Sequence, residues 1–271
     1  MKKLILLETK RKFFTNRVGA HTTAFSGSGV EFKDIIHYDS SQSVRNINWK
    51  KSTKEAVVSN SYYDERELSI AIVYLNSGSM RFANKAEKAI EAVTALSSVA
   101  IESRESLTTL FFNSKQSAFY PPTKKRTAVD INYSHASSSI CQGEIDIKLL
   151  TQEILYRIRK RSILFIIGDF LELIDLSKLS HIYETYAVVI RAKEEEDLTT
   201  SKAVEGDLNI VDLNSDKQEF LTLNRKSKKV YNNLLKEHDK RLIEGFRKSQ
   251  VIYTKIYTEE NTIDKLVELT R

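Results

Sequence analysis

From residue 68 onward, continuous apolar runs alternate with segments whose apolar residues recur at helical spacing. A run that is apolar throughout, such as LSIAIVYL at 68–75, is typical of a strand buried on both faces of a sheet. Strands that alternate with helices are joined by crossover connections, so they run parallel and are covered by helices on both sides. The alternation therefore predicts an α/β fold with a doubly wound, mainly parallel sheet.

The same pattern predicts the individual elements of this sheet and its helices. The predicted strands are LSIAIVYL, SLTTLFFNS, SILFIIGDF, ETYAVVIRA and QVIYTKIY. The predicted helices are NKAEKAIEAVTALSSVAIESR, IDIKLLTQEILYRIRKR, KVYNNLLKEHDKRLIEGFRKS and NTIDKLVELTR, the first with Asn84 as a possible N-cap. The segment 207–224 departs from this rhythm, and it predicts an inserted β-hairpin that turns at Asn214–Asp216.

The first 67 residues differ in composition from the rest of the chain. They are rich in Ser, Thr, Asn and Gly, with short pieces such as EFKDIIHYD and AVVSNSYYDE. We predict a β-rich segment, 1–67, that docks on an α/β domain, 68–271. Because the segment holds few large aliphatic residues, it should not form a domain by itself. Trp49 is expected in the core.

Composition limits the location of the protein and its partners. Cys141 is the single cysteine, which excludes an intrachain disulfide and favours a reducing compartment. The apolar run Leu4 to Leu7 is shorter than the about 7–15 residues of a signal peptide, and no run reaches the ~18 residues of a membrane span. We therefore expect a cytoplasmic protein without a membrane partner. The net charge of +6 would suit an acidic partner or nucleic acid, but the basic clusters at 124–126, 157–161 and 225–229 are interpreted as solvated faces.

Polar side chains follow two of the predicted strands at the point where each strand ends. Ser77 and Ser79 follow the strand at 68–75, and Asp169 follows the strand in SILFIIGDF. Ligands of open parallel sheets collect at the carboxyl ends of the strands. Because Mg²⁺ prefers oxygen ligands, these three side chains are candidates for a divalent-cation site. The alternative, which the residues alone favour, is that they cap the helices that follow.

Six segments follow one another in the order GAHTTAFSGSGVEFKDIIHY, VRNINWKKSTK, YYDERE, VYLNSGSM, RKRSILFIIGDFLE and IRAKEEEDL. In this order and spacing they resemble the DUF58 family of bacterial von Willebrand factor A-like proteins, and the resemblance extends from about Gly19 to the end. VYLNSGSM resembles the first metal loop of von Willebrand A domains, Asp-x-Ser-x-Ser. The resemblance implies a sheet of von Willebrand A type and a metal-ion-dependent adhesion site at Ser77, Ser79 and Asp169.

The departures from the family pattern concern the metal ligands. Leu75 stands where the first aspartate is expected, and Ile145 stands where the family has a threonine ligand. The family segment Gly-Asp-Asp-x-Arg-x-Ile-Asp-Trp becomes SQSVRNINW, which keeps Arg45, Ile47 and Trp49 but loses the glycine and the acids. We therefore expect a degenerate site without a metal or other cofactor, Mg²⁺ being the ion that the remaining oxygen atoms would accept.

The resemblance also implies a function. Members are commonly encoded beside AAA+ ATPases of the MoxR type, which implies a non-enzymatic protein-interaction module that acts as an adaptor for such an ATPase or for another protein. Asn76, Gly78 and Met80 are the predicted partner contacts. The alternatives are a metal-dependent hydrolase, which a single candidate carboxylate supports poorly, and a nucleic-acid-binding protein. The KEEED run at 193–197 is interpreted as a solvated loop or helix start.

Overall fold

The computed structural model describes residues 27–39, 44–53, 56–62, 69–113, 115–159, 162–196, 206–211, 213–214 and 218–269. Only the backbone is described for 27–33, 61–62, 207–211 and 219–222. The described residues up to Tyr62 belong to one compact unit, and those from Ser69 onward belong to another. The apolar run near the N-terminus, the family-like residues 19–26 and 41–43, and the segment YYDERE beyond Tyr62 lie outside the described residues.

The N-terminal unit contains an antiparallel two-stranded sheet. Strand β1 (Gly27–His37) pairs with β2 (Val58–Tyr62), and a 3₁₀ turn (Val44–Asn46) lies between them in the chain. The β-rich character predicted for this segment is therefore confirmed within the described residues. The core position predicted for Trp49 is wrong, because its side chain is 71% exposed. A two-stranded ribbon offers no second layer to cover an indole.

The second unit is built on one six-stranded sheet. Its strands are β3 (Ser69–Leu75), β4 (Ser106–Phe112), β5 (Ser117–Thr123), β6 (Ile163–Gly168), β7 (Glu184–Arg191) and, after the hairpin strands β8 (Gly206–Val211) and β9 (Gln218–Leu223), β10 (Ile252–Tyr257). The spatial order is β10-β7-β6-β3-β4-β5, and each neighbouring pair is parallel except β4 with β5. The hairpin forms a separate two-stranded sheet, as predicted.

Helices cover both faces of this sheet. They are α1 (Lys85–Glu102), α2 (Thr127–Ser138), α3 (Ile147–Arg157), α4 (Ser177–Ser180), α5 (Lys193–Glu196), α6 (Arg225–Lys248) and α7 (Thr262–Leu269). Helix α1 packs on β3, β4, β6 and β7. A separate apolar cluster joins Val73 and Leu75 of β3 to Ile154 of α3 and Phe246 of α6. The doubly wound, mainly parallel sheet of von Willebrand A type is therefore confirmed.

Several elements of the second unit were not predicted, among them strand β5, helix α2 and the short helix α4. Strand β5 contains Pro121 and Pro122, which remove backbone donors, and an edge strand tolerates this because its outer side needs no partner. Helix α2 has sparse apolar residues, because it packs mainly on α1 rather than on the sheet. Among the described residues, no helix is both long and apolar enough to cross a membrane.

Candidate functional site

The predicted site residues lie where the strand order reverses. Strand β3 has β4 on one side and β6 on the other, so the chain crosses the sheet between β5 and β6. Crevices for ligands form outside the carboxyl ends of strands at such a switch point. Ser77 and Ser79 follow β3 and Asp169 follows β6, so the structure brings the three residues to one edge of the sheet.

The two serines and the aspartate are linked by hydrogen bonds. Ser77 Oγ lies 2.9 Å from Ser79 Oγ, and it donates to Asp169 Oδ1 at 3.5 Å. Ser77 is the N-cap residue of the 3₁₀ turn Gly78–Asn84, but its side chain makes no capping hydrogen bond. The alternative that this serine serves as a helix cap is therefore wrong, and its hydroxyl faces the other polar groups of the site.

Lys85 is a residue of this site that sequence reasoning missed. Its side chain is fully buried, and Nζ donates to Asp169 Oδ2 at 3.0 Å. Nζ also donates to Glu195 Oε1 at 3.0 Å and to Oε2 at 3.2 Å. The predicted solvation of the 193–197 run is wrong for Glu195, which is buried in α5 by this ion pair. The Lys85 ammonium therefore already pairs with the Asp169 carboxylate, which a bound cation would need as a ligand.

The backbone is unusual on both segments that meet here. Ala83 and Asn84, directly before Lys85, have φ values of 46° and 61°, and Phe170, directly after Asp169, has φ 49°. Residues with side chains pay on the order of 1 kcal/mol or more for this left-handed conformation. Asn84 directly precedes α1, as predicted, but its side chain makes no capping hydrogen bond. These two sharp turns place Lys85 and Asp169 next to each other.

A pocket lies beside the hydroxyl groups. It is lined by Leu75, Ser77, Ser79, Ile145, Asp169, Phe170, Leu171, Glu172 and Ile174. Leu75 and Ile145, at the two expected ligand positions, therefore present apolar atoms to it. Glu172 is a further carboxylate that the sequence did not single out, and it accepts a hydrogen bond from the Ile145 N–H at 3.0 Å. Burial and the charges of Glu144 and Asp169 raise the pKa of Glu172.

The tip of the β8–β9 hairpin lies on the loop that follows β3. The Ser79 N–H donates to Asn214 Oδ1 at 2.9 Å, and Arg81 Nη2 donates to the Leu213 carbonyl at 2.5 Å. A Cβ on Gly78 would lie 2.0 Å from the Leu213 oxygen. Glycine is therefore required at 78 for this approach. These partners are more than 130 residues apart in the chain, so no local pattern could indicate the contact.

The predicted partner contacts are buried in this structure. Asn76 is 3% exposed and donates through Nδ2 to the Ile140 carbonyl, and Met80 is fully buried. Gly78 is covered by the hairpin tip. Their role in binding stays a prediction, and their side chains do not form the present surface. Cys141 is also buried, next to the Tyr74 hydroxyl at 3.8 Å, and burial raises the pKa of its thiol.

The residues present do not fit a divalent cation well. Asp169 Oδ2 is held by Lys85, and Glu172 is engaged by a backbone N–H. The remaining donors are one carboxylate oxygen and two neutral hydroxyls, whereas Mg²⁺ gives up its water only for strong, charged donors in near-octahedral geometry. Across the described residues, no group of three or more His, Cys, Asp or Glu side chains is placed to hold a metal ion.

The strand order and the loops at the switch point define a von Willebrand factor A-like α/β protein. Residues 34–241 match the family described as "Protein of unknown function DUF58". The chain therefore belongs to the DUF58 family, which confirms the resemblance inferred from its segments. Among curated proteins, none matches the chain significantly.

The chain is also similar to several solved structures of bacterial proteins. The conserved hypothetical protein BatB from Bacteroides thetaiotaomicron is 10% identical, with a TM-score of 0.46 over 74% of this chain and 96% of that chain. An aerotolerance-related membrane protein from Bacteroides fragilis is 12% identical, with a TM-score of 0.45 over 73% and 94%. The von Willebrand factor domain of the pilus tip protein Mfa5 from Porphyromonas gingivalis is 8% identical, with a TM-score of 0.29 over 75% and 86%.

Proposed function

We propose that this protein is a non-enzymatic interaction module whose switch-point face binds another protein, and that its partner is a MoxR-type AAA+ ATPase in the cytoplasm. The observation that supports a docking role is a set of exposed apolar side chains on the segments that form the site. Ile140 is 70% exposed, Leu173 is 46% exposed and Phe82 is 40% exposed. Exposed apolar side chains that are grouped around a pocket are typical of protein-binding surfaces.

The polar groups of the site also favour binding over catalysis. Metal-assisted hydrolysis needs a firmly held ion and an activated water, and general acid–base catalysis needs a titratable group free to exchange a proton. Asp169 is instead fixed by the Lys85 ammonium, Glu172 is held by the Ile145 N–H, and no histidine lies among the residues that line the pocket. A fixed internal ion pair suits a surface that keeps its shape. We accordingly propose a face that works without Mg²⁺.

Binding of the ATPase tests this proposal. Purified full-length chain and the MoxR-type ATPase of the same cell should give a saturable calorimetric signal with ATP or a non-hydrolysable analogue present. Ile140→Glu and Leu173→Glu should each weaken binding by about tenfold or more, since a buried charge in an interface core is strongly unfavourable. Tyr156→Glu is the matched control, because Tyr156 is 88% exposed near the end of α3, which leads back to the amino end of β6.

Other results of these experiments would contradict the proposed function. A pull-down that recovers no AAA+ ATPase, together with no heat of binding for the purified pair, contradicts the adaptor role. Equal weakening by Ile140→Glu and Tyr156→Glu would place the interface elsewhere. Nuclease or phosphatase turnover that depends on added Mg²⁺ or Mn²⁺ and disappears in Asp169→Asn would establish the hydrolase alternative instead.

A further inference from the structure

Helix α6 (Arg225–Lys248) carries the whole net charge of the chain. It holds nine basic and three acidic residues, a net charge of +6, and the full chain also has a net charge of +6. The basic and acidic residues of the remaining chain therefore cancel. A positive charge that is concentrated on one element attracts anionic partners to that element.

Four exposed basic residues lie along one side of α6. They recur at intervals of seven, four and seven residues, and an α-helix turns once in about 3.6 residues, so the four share one side. We call them the basic face: Lys229, Lys236, Lys240 and Arg247. Among the described residues none of the four makes an ion pair, whereas Arg241 on the same helix pairs with Glu237. At about 1.5 Å per residue the basic face is roughly 27 Å long.

Two aliphatic side chains lie beside the basic face. Val230 is 52% exposed and Leu234 is 62% exposed. They are four residues apart, so they are neighbours on the surface of the helix. Leu242 and Phe246, on the opposite side of α6, are buried in the apolar cluster that covers the sheet. The core therefore uses one apolar side of α6, and Val230 and Leu234 form a second apolar side that the core does not use.

We propose that this exposed side of α6 binds to an anionic lipid surface. Lysine and arginine side chains near such a surface are attracted by its negative potential. A helix that presents basic residues beside aliphatic ones lies in the plane of the lipid headgroups, with its aliphatic groups at the boundary of the acyl chains. The sequence-based expectation of no membrane partner rested on the lack of a spanning segment, which surface binding does not require.

The two aliphatic side chains favour lipid over other anionic partners. The phosphate backbone of a nucleic acid offers no apolar layer to Val230 and Leu234. A protein interface usually contains about 20–30 residues on each side around an apolar core, and two aliphatic side chains on a single helix are too few to form that core. A lipid surface needs no matching shape, and it supplies both the negative charge and the apolar layer.

Sedimentation of the full-length chain with lipid vesicles tests the charge requirement. At about 0.1 M salt the chain should bind vesicles of phosphatidylcholine with about 30% phosphatidylserine, and it should not bind vesicles of phosphatidylcholine alone. Lys229→Glu, Lys236→Glu and Lys240→Glu combined should weaken binding by about 100-fold or more, because each basic residue near the surface contributes about fivefold.

The matched control reverses three other exposed charges, Lys124→Glu, Lys125→Glu and Arg126→Glu. These residues follow β5, at the opposite edge of the sheet from β10, on which α6 packs. The control changes the net charge by the same amount, but it should weaken binding by less than about fivefold, since salt screens charges that are distant from the lipid. No binding to the anionic vesicles overturns the proposal, and so does equal weakening by the two triple variants.

A fluorescent label tests the contact of the aliphatic pair with lipid. Leu234→Cys can be labelled with an environment-sensitive maleimide dye, because Cys141 is the single natural cysteine and is buried. The emission should shift to the blue on anionic vesicles. The same dye at Tyr133→Cys should not shift, since this 54% exposed position lies on α2, which packs on α1. Binding to duplex DNA or RNA that the α6 variant loses, without a blue shift on vesicles, would overturn the proposal in favour of a nucleic-acid partner.

Discussion

Lys85 changes the interpretation of the site more than any other residue. A lysine at the start of a helix is normally expected to extend into solvent, so no sequence pattern indicated that Lys85 belongs to the site. Burial makes its two ion pairs mutually dependent, because each carboxylate left alone would carry the full cost of desolvation. The interaction joins the segments after β3, β6 and β7 through one ammonium group.

Removal of this ammonium should be strongly destabilising. Lys85→Met leaves Asp169 and Glu195 buried without a cation, so we expect a loss of about 3–5 kcal/mol in the free energy of unfolding. Urea denaturation of the two proteins measures it. Arg241→Met in α6 is the control, since Arg241 and Glu237 form an exposed pair whose loss should cost less than about 1 kcal/mol. If Asp169→Asn and Glu195→Gln do not recover part of the loss in Lys85→Met, the ion pairs are not its cause.

Leu75 and Ile145 explain why the loop is expected to lack a metal. Both line the pocket, and Leu75 also packs against Gly168. A Cβ added to Gly168 would lie 2.9 Å from the Cβ of Leu75. We expect no thermal stabilisation of the natural protein by millimolar Mg²⁺ or Mn²⁺. The double change Leu75→Asp with Ile145→Thr should lower stability without metal, because it puts a carboxylate into an apolar cluster, but should gain a metal-dependent rise in Tm.

The uncharged pair Leu75→Asn with Ile145→Val is the matched control for this response. It perturbs the same positions without adding a charged ligand, so its Tm should not depend on metal. A rise of about 2–4 °C corresponds to roughly 1 kcal/mol for a chain of this size, which scanning calorimetry resolves easily. A clear rise for the unmodified protein would show that the site still binds a cation.

At the scale of the secondary-structure elements, the sequence was sufficient to predict those strands and helices whose burial imposes a pattern on their residues. Strands β3, β6 and β7 are buried on both faces, so their continuous apolar runs were recognised directly. Strand β5 and helix α2 lie at the edge of the sheet and outside it, where composition is less restricted. The predicted ligands Ser77, Ser79 and Asp169 were brought together because topology aligns strand ends. Lys85, Glu195 and Asn214 were missed because their partners lie 84 or more residues away.

Helix α6 is attached to the sheet by an ion cluster that should make stability depend on pH. Asp239 accepts from Arg191 at 3.0 Å, at the end of β7, and from Lys255 at 2.6 Å, in β10. Burial by itself would raise the pKa of Asp239. Hydrogen bonds from His238 and Lys255, with the charges of Arg191 and Lys255, outweigh it and hold the pKa well below its usual range.

A depressed folded-state pKa gives stability that is present above the unfolded pKa, about 3.9, and is lost as pH falls below it. Stability should therefore decrease from about pH 5 downward. Asp239→Asn should make this acid limb of the stability profile flatter, and it should lower the free energy of unfolding by about 3 kcal/mol at pH 7. Glu237→Gln, two residues before Asp239 and in an exposed pair with Arg241, should do neither. Urea midpoints from pH 3 to pH 7 provide the measurement, and an unchanged acid limb in Asp239→Asn would exclude this carboxylate as the source.

At the scale of the whole molecule, the two units differ in how they could be stable. The six-stranded unit buries apolar residues on both faces of its sheet, and its core includes Ile72, Leu110 and Ile166. The described residues of the N-terminal unit contribute no apolar side chain to the buried core, and they expose Val44, Trp49 and Val57. Family membership covers parts of both units, from residue 34 to residue 241. The N-terminal unit is therefore part of the family's pattern, and we expect that it does not fold as a separate body.

The last prediction follows from this difference. Residues 1–67, produced alone, should not fold, because the two-stranded ribbon that their described residues form has no buried apolar layer. Such a ribbon cannot offset the about 1–2 kcal/mol per residue of lost backbone entropy. We expect narrow amide dispersion in its NMR spectrum and no cooperative thermal transition. The fragment 68–271 is the companion measurement, and it should unfold with a lower Tm than the full chain if the N-terminal segment docks on it. A cooperative transition in isolated 1–67 would contradict the prediction. A proteolytic fragment starting near Leu68 that unfolds cooperatively with the same Tm as the full chain would contradict docking of the N-terminal segment.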